Sequence, residues 1–285
     1  MGEIDVTQEK SKPKQKWGPW KIAALVACLV FGCLFTRFVL HLLLPRNFTA
    51  TGSEITLRLP SGDFQCSFFA AERDAGVFRG LVILGSGDGG WSYWEDGTAH
   101  SLAGHGYAVV GWDCRKFADG RSYDHAALVE GFNSAVEAAS GLTPDAGSPV
   151  WFAGWSTGAE QSVAAAASSD RTPRLRGLLL AAPGTRGRFG ITSSDLLGVT
   201  PAGPDTFALK DMAKQIEGIR VAQFAAGLDP MDDVDWLAGL TVPHRIFELP
   251  GLLHDMGGAG EEFQTALLDA IDWTVQPEHQ GTVRD

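Results

Sequence analysis

The chain has 285 residues, of which 45% are hydrophobic and 20% charged, and its formal net charge is −11. After residue 46 it holds 16 basic and 31 acidic residues, a net charge of −15. An acidic surface argues against nucleic acid as a partner, because the phosphate backbone requires a basic one. The roughly 240 residues of this part suit one α/β domain with a sizeable core.

The N-terminal part predicts a membrane anchor. Residues 22–44 are apolar except for Thr36, Arg37 and His41, and they are long enough to cross a bilayer core of about 30 Å. Five lysines precede this span, so residues 1–21 are expected on the cytoplasmic side and the chain after a linker at 45–53 outside. A cleaved secretory signal is the alternative. No small-x-small cleavage site follows the span, which favours a retained signal anchor.

After the linker, strand-like and helix-like segments alternate in a domain at 54–285. Two early strands without a helix between them, followed by strand and helix in turn, predict an α/β fold. We expect a mostly parallel eight-stranded sheet, flanked by helices, with an antiparallel edge. The strand candidates are 55–59, 65–70, 81–84, 107–112, 150–153, 177–181, 221–225 and 245–249. The helix candidates are 96–104, 124–139, 159–168, 232–240 and 261–273.

Residues 183–215 interrupt this alternation. The segment is rich in Gly, Pro and Thr, and it predicts only one short helix near its end. Long connections of this kind are usually functional or mobile. We interpret it as a cap over the site, with an ordinary surface excursion as the alternative.

The central motif is Gly154-Trp155-Ser156-Thr157-Gly158, between the apolar run 150–153 and an Ala-rich helix candidate. A serine hydroxyl is a poor nucleophile, and a strained strand-to-helix turn supplies the exposure that it needs. The five-residue pattern alone is weak in a chain with 35 glycines. An ordinary turn serine is the alternative, so the assignment of Ser156 as nucleophile depends on the surrounding sequence.

Two later strand candidates end in residues that complement Ser156. Residues 221–225 lead through glycine to Asp229, and residues 245–249 lead through Pro-Gly to His254. Sites in open α/β sheets form beyond the carboxyl ends of the strands. The order Ser, Asp, His is that of α/β-hydrolases, with His254 as the base and Asp229 as the acid that orients it. Asp229 as a helix N-cap and Asp232 as the acid remain alternatives.

The glycine-rich segment 85–91 follows the third strand candidate, where this fold places an oxyanion-hole loop. We expect backbone donors from Gly87 or Asp88 and from Thr157, the residue after the nucleophile. Three tryptophans, Trp91, Trp94 and Trp155, are candidates for the substrate pocket, and core packing is the alternative.

No cofactor or metal is predicted. The P-loop lysine is missing after the glycine-rich segment, and no His or Cys cluster has the spacing of metal ligands. Cys66 and Cys114 lie in the part expected outside the membrane, where two thiols can pair. The sequence leaves open whether they form a disulfide.

The segment 85–91, read Gly-Ser-Gly-Asp-Gly-Gly-Trp, resembles the loop of the bacterial virulence protein VirJ and AcvB family, a branch of the α/β-hydrolases. The resemblance covers most of residues 80–273. It departs at Trp155 and Thr157 of the elbow and at His254-Asp255, where members usually carry Tyr-Ser-Phe-Gly and paired histidines. The resemblance implies an exported serine hydrolase that acts at the cell envelope. Together with the predicted anchor, it leads us to expect a protein of the bacterial inner membrane with its catalytic domain in the periplasm.

The function predicted on this basis is cleavage of a carboxylic ester through an acyl-enzyme on Ser156. The resemblance to AcvB-like members implies aminoacyl phosphatidylglycerol, especially the lysyl ester, as substrate. The expected partners are therefore a membrane lipid or a small ester, and the inner membrane through the N-terminal helix. A general lipase or esterase is one alternative, and a non-catalytic envelope protein associated with secretion is another.

Overall fold

The computed structural model describes residues 19–43, 48–118 and 123–276 and divides the chain into the units Met1–Leu44 and Pro45–Asp285. Helix α1, Pro19–Leu43, occupies the segment predicted as an anchor. Within the described ranges, no helix combines the length and the apolar composition of a membrane span. Insertion of α1 into a membrane therefore stays a prediction. The basic segment before residue 19, the last residue of the predicted span at 44 and the start of the linker at 45–47 lie outside the described residues.

The second unit contains one eight-stranded sheet, and each of its strands corresponds to a predicted strand. The strands are β1 Ser53–Leu59, β2 Gly62–Phe69, β3 Gly80–Gly85, β4 Tyr107–Trp112, β5 Val150–Trp155, β6 Leu175–Ala181, β9 Arg220–Ala226 and β10 His244–Leu249. Their order across the sheet is β1-β2-β4-β3-β5-β6-β9-β10. The pairs β1–β2 and β2–β4 are antiparallel and all the others are parallel, which confirms the predicted fold.

The central strands are apolar throughout because helices cover both faces of the sheet. Every residue of β3 is buried. Successive side chains of a strand point to opposite faces, so Leu81 and Ile83 join one hydrophobic core while Val82 and Leu84 join the other. The four longer helices of this unit are α2 Tyr93–Gly104, α4 His125–Ser140, α5 Thr157–Ala166 and α8 Glu261–Val275. The first core packs against α4 and α5, and the second packs against α2 and α8.

Two helix predictions differ from the structure. Helix α2 begins three residues before the predicted start, because Ser92 and Glu95 form a capping box at its N-terminus. The helix predicted at 232–240 is only a short 3-10 turn at Asp235–Gly239. Asp232 is outside it, since its carboxylate accepts hydrogen bonds from Gln223 and from the backbone of Ala226.

The predicted cap, residues 183–215, contains a small hairpin that the sequence did not indicate. Strands β7, Arg186–Arg188, and β8, Thr206–Ala208, pair antiparallel. The predicted short helix near the end is α6, Leu209–Ala213. Two further short helices, α3 at Cys114–Ala118 and α7 at Met256–Ala259, were not predicted.

The two cysteines whose pairing the sequence left open are free thiols. Cys66 lies on β2 and Cys114 begins α3, and both side chains are buried. Burial raises the pKa of both thiols above the ordinary value. The fold of this unit therefore depends on packing without a disulfide between them.

Candidate active site

Ser156 lies at a sharp turn between β5 and α5. Its backbone has φ 52° and ψ −119°, a strained conformation for a residue with a side chain. The turn is held by the Ser156 N–H, which donates to the carbonyl of Ala181 at 2.9 Å. Strain of this kind occurs at functional sites, where the surrounding structure compensates for it.

The glycines of the motif are required by close backbone packing. A Cβ atom on Gly154 would lie 2.2 Å from the carbonyl carbon of Gly158. A Cβ atom on Gly158 would lie 2.3 Å from the carbonyl oxygen of Gly85, at the end of β3. Both distances are far below van der Waals contact. The elbow therefore packs directly against the strand that leads into the glycine-rich loop.

Asp229 and His254 meet beyond the ends of β9 and β10, as predicted from their places in the sequence. Nδ1 of His254 lies 2.6 Å from Oδ2 of Asp229, and the Asp229 side chain is only 1% exposed. The backbone carbonyl of His254 accepts a hydrogen bond from the indole of Trp155 at 2.7 Å, which fixes its loop to the elbow. An Nδ1–H that donates to the carboxylate leaves Nε2 as the proton acceptor.

The structure distinguishes the two acid candidates by their contacts. Asp229, not Asp232, bonds His254. Asp232 accepts from Gln223 Nε2 at 2.8 Å and from the Ala226 N–H at 2.9 Å. Burial, with a contribution from the charge of Asp229, raises the pKa of Asp232 to about 6. Asp232 therefore fastens the loop after β9 and helps to place Asp229.

The prediction that the Gly87 backbone donates to the oxyanion is wrong. Its N–H donates to Oε1 of Glu95 at 3.2 Å, and the same buried carboxylate accepts from the Ser92 backbone and hydroxyl. Asp88 and Thr157 line the cavity together with Ser156. Their backbone N–H groups are therefore the remaining candidates for the two oxyanion donors. Glu95 holds the glycine-rich loop in shape.

Two of the three pocket tryptophans are core residues. Trp91 is 4% exposed and packs against Phe69, and Trp94 is 3% exposed and stacks on Trp155 with ring centroids 5.5 Å apart. Their side chains fill the layer between α2 and the sheet. Only Trp155 lines the cavity at Ser156, so the assignment of Trp91 and Trp94 to the substrate pocket is wrong.

The cavity beside Ser156 has a volume of about 390 Å³. The elbow and His254 form one side, and the segment 184–201 forms much of the other. This position supports the interpretation of residues 183–215 as a cap rather than a surface excursion. Apolar side chains on the cap side and the loop after β9 are Leu196, Val199, Pro201 and Met231.

Two buried glutamates at the site were missed from the sequence. Glu95 belongs to the pattern Ser-x-x-Glu, which is a recognisable capping box. Glu160 lies one turn after Ser156 on α5 and lines the cavity. No short motif marks Glu160. The one signal in the sequence is that it is the only charged residue in this helix.

The chain is similar to solved α/β hydrolases, although no curated protein sequence matches it. The α/β hydrolase GrgF from Penicillium is 14% identical, with a TM-score of 0.60 over 78% of this chain and 97% of that one. An α/β serine hydrolase homologue from Coxiella burnetii is 14% identical, with a TM-score of 0.54 over 79% and 100%. An α/β serine hydrolase without lid from Xanthomonas campestris is 20% identical, with a TM-score of 0.50 over 81% and 100%. These likenesses show the α/β-hydrolase fold.

The sequence also matches a family model. The model described as bacterial virulence protein (VirJ) matches residues 80–225, which is more than half of the chain. The matched part includes the glycine-rich loop, the elbow at Ser156 and the cap, and it ends before Asp229 and His254. The chain therefore belongs to the VirJ family of bacterial virulence proteins and has the α/β-hydrolase fold.

Proposed function

We propose that the protein is a serine hydrolase that cleaves a carboxylic ester through an acyl-enzyme on Ser156. The observation that carries this proposal is the Asp229–His254 pair at 2.6 Å, on the cavity that also holds the strained Ser156. A buried carboxylate that orients an imidazole beside a turn serine is the arrangement that activates a hydroxyl.

The residues divide the reaction between them as follows. Nε2 of His254 takes the proton as Ser156 Oγ attacks the ester carbonyl carbon, and Asp229 stabilises the imidazolium. The backbone N–H groups of Asp88 and Thr157 receive the charge on the carbonyl oxygen. His254 returns the proton to the alcohol as it leaves. Water, deprotonated by His254, then attacks the acyl carbonyl carbon. The bond to Ser156 Oγ breaks, His254 returns the proton to that oxygen, and the carboxylic acid leaves.

We propose aminoacyl phosphatidylglycerol, above all its lysyl ester, as the substrate, and the periplasmic side of the inner membrane as the location. The family resemblance supports this substrate, and the net charge of −15 after residue 46 favours cationic groups. The five N-terminal lysines support a single-pass anchor with the domain outside. Helix α1 also exposes large apolar side chains, among them Leu29 at 60% and Phe31 at 71%.

A general esterase is the second candidate, and one observation favours it. The apolar side chains Leu196, Val199 and Met231 on the cavity wall suit an uncharged acyl chain. Hydrolysis of nitrophenyl butyrate without hydrolysis of the lipid would select this candidate.

The test uses the full chain in liposomes that contain lysyl-phosphatidylglycerol, with nitrophenyl butyrate as a soluble ester. We expect Ser156→Ala to lower the rate on both substrates by at least about 10³-fold. Ser134→Ala, on α4 away from the cavity, is the matched control and is expected to keep the rate. Equal rates for the wild type and Ser156→Ala would refute the catalytic assignment.

Two further measurements test the activation of Ser156 and the membrane anchor directly. A fluorophosphonate labels an activated serine covalently, so the wild type should react and Ser156→Ala should not. A wild type that remains unlabelled would favour the non-catalytic envelope protein. Alkaline carbonate extraction of membranes tests the anchor, because a chain released by carbonate does not span the bilayer.

A further inference from the structure

The cavity beside Ser156 contains a buried carboxylate that the proposed mechanism does not use. Glu160 is 8% exposed and accepts a 3.2 Å hydrogen bond from the Gly184 N–H. No other donor among the described residues reaches its carboxylate. Burial raises the pKa of Glu160 to about 8, and the charges of Asp88 and Asp195 contribute. A buried carboxylate without a cationic partner is costly.

Asp195, from the cap, provides a second and independent sign of a missing partner. Its Oδ2 is bonded to Arg188 Nε at 2.9 Å and to the backbone and hydroxyl of Thr192. Its Oδ1 is buried and has no hydrogen-bond partner, although the side chain is 91% buried and belongs to the cavity wall. Unpartnered buried acceptors are rare in folded proteins and call for an explanation.

The charge balance of the wall is negative. Asp88, Glu160 and Asp195 line this cavity, Arg186 is the one arginine or lysine among the described lining residues, and Arg188 pairs with Asp195 from outside the lining. The Arg186 guanidinium donates to the Pro201 carbonyl and the Thr206 hydroxyl rather than to a carboxylate. Because Arg188 pairs with Asp195, Glu160 is the carboxylate of this wall for which the described residues supply no cationic partner, and a bound cation would satisfy it.

We propose that Glu160 and Asp195 form a subsite for a cationic group, an ammonium, on the ester that Ser156 attacks. This inference rests on the proposed function for its link to catalysis. Glu160 is four residues after Ser156, so the two Cα atoms are separated by about 6 Å along the helix axis. The ε-ammonium of a lysyl ester reaches this distance from the scissile carbonyl, whereas the α-ammonium, on the carbon next to that carbonyl, does not. The subsite would favour cationic acyl groups over neutral ones.

The binding test separates the subsite from catalysis. Calorimetry on full-length Ser156→Ala compares L-lysine ethyl ester with N-acetyl-L-norleucine ethyl ester, which lacks both ammonium groups. We expect the lysine ester to bind at least tenfold more tightly. Adding Glu160→Gln, which keeps an acceptor for Gly184, should abolish this preference. Asp195→Asn should reduce it, and Glu137→Gln, an exposed change on α4, should leave it intact.

The outcomes distinguish the two proposals. Equal affinity for the two esters, or a preference that survives both Glu160→Gln and Asp195→Asn, would overturn the subsite. Hydrolysis of the same esters by the wild type tests the proposed function independently of binding. A preference in binding without hydrolysis of either ester would support the subsite and reject the hydrolase, whereas hydrolysis of both esters without any preference would do the reverse.

Discussion

Replacing Gly154 with alanine should damage stability and activity together, because the elbow leaves no room for a methyl group. The new Cβ would lie 2.2 Å from the carbonyl carbon of Gly158, whereas carbon atoms pack at about 3.5 Å. Backbone of β5 or α5 must therefore move by about 1.3 Å. Overpacking of this kind costs up to about 3 kcal/mol, which lowers the unfolding temperature of a domain of this size by about 6 to 12 °C.

The same movement displaces Ser156 and Thr157. A displacement of about 1 Å in a catalytic group lowers the rate on the order of 10²-fold. The assay combines thermal unfolding with hydrolysis of nitrophenyl butyrate. Gly97→Ala is the matched control, since Gly97 is exposed within α2 and its Cβ would meet no atom within 4 Å. That change should stabilise the helix by about 0.5 to 1 kcal/mol. A Gly154→Ala protein with wild-type unfolding temperature and rate would refute the packing argument.

Three further predictions follow from the site and the core. Asp229→Asn should lower kcat on nitrophenyl butyrate by about 10⁴-fold, because the imidazole loses its orienting carboxylate; unchanged kcat would contradict the role of the 2.6 Å bond. The pKa of Glu160 is raised from 4.5 to about 8, so folding stability is lost as pH rises through this window. Glu160→Gln should therefore raise the unfolding temperature at pH 9 more than at pH 5, and a pH-independent difference would count against the buried ionisation. Phe132→Ala should lower the free energy of unfolding, measured with denaturant, by about 3 to 5 kcal/mol, since the Phe132 ring packs against Trp112 and Phe152. A smaller loss would mean that neighbouring side chains move in to fill the cavity.

The sheet was predictable because its signals are local. A run such as Leu81–Leu84 is buried on both faces and reads as a strand without knowledge of its neighbours. The meeting of Asp229 and His254 was predictable too, because each follows a strand and the carboxyl ends of parallel strands share one edge of the sheet. The hairpin of β7 and β8 was missed because each strand has three residues and the pairing joins distant segments.

The wrong predictions at the site concern residues whose roles depend on tertiary contacts. The pattern of glycines at 85–91 gives several candidate donors, but the orientation of Gly87 is decided by Glu95, which α2 brings beneath the loop. Trp91 and Trp94 lie at the end of the glycine-rich segment and just after it, a position that suits pocket residues as well as core residues. Their burial depends on Phe69 and Trp155, which other strands supply. Sequence patterns specify elements more reliably than the side of an element on which a ring lies.

The buried thiols of Cys66 and Cys114 act as an internal reporter of unfolding. Oxidants and alkylating reagents attack the thiolate, and burial both shields these sulfur atoms and keeps them protonated. Their modification therefore requires the sheet to open at β2, which lies between the edge strand β1 and β4, or the turn at α3 to open. The rate of thiol labelling at these two positions measures how often the domain opens.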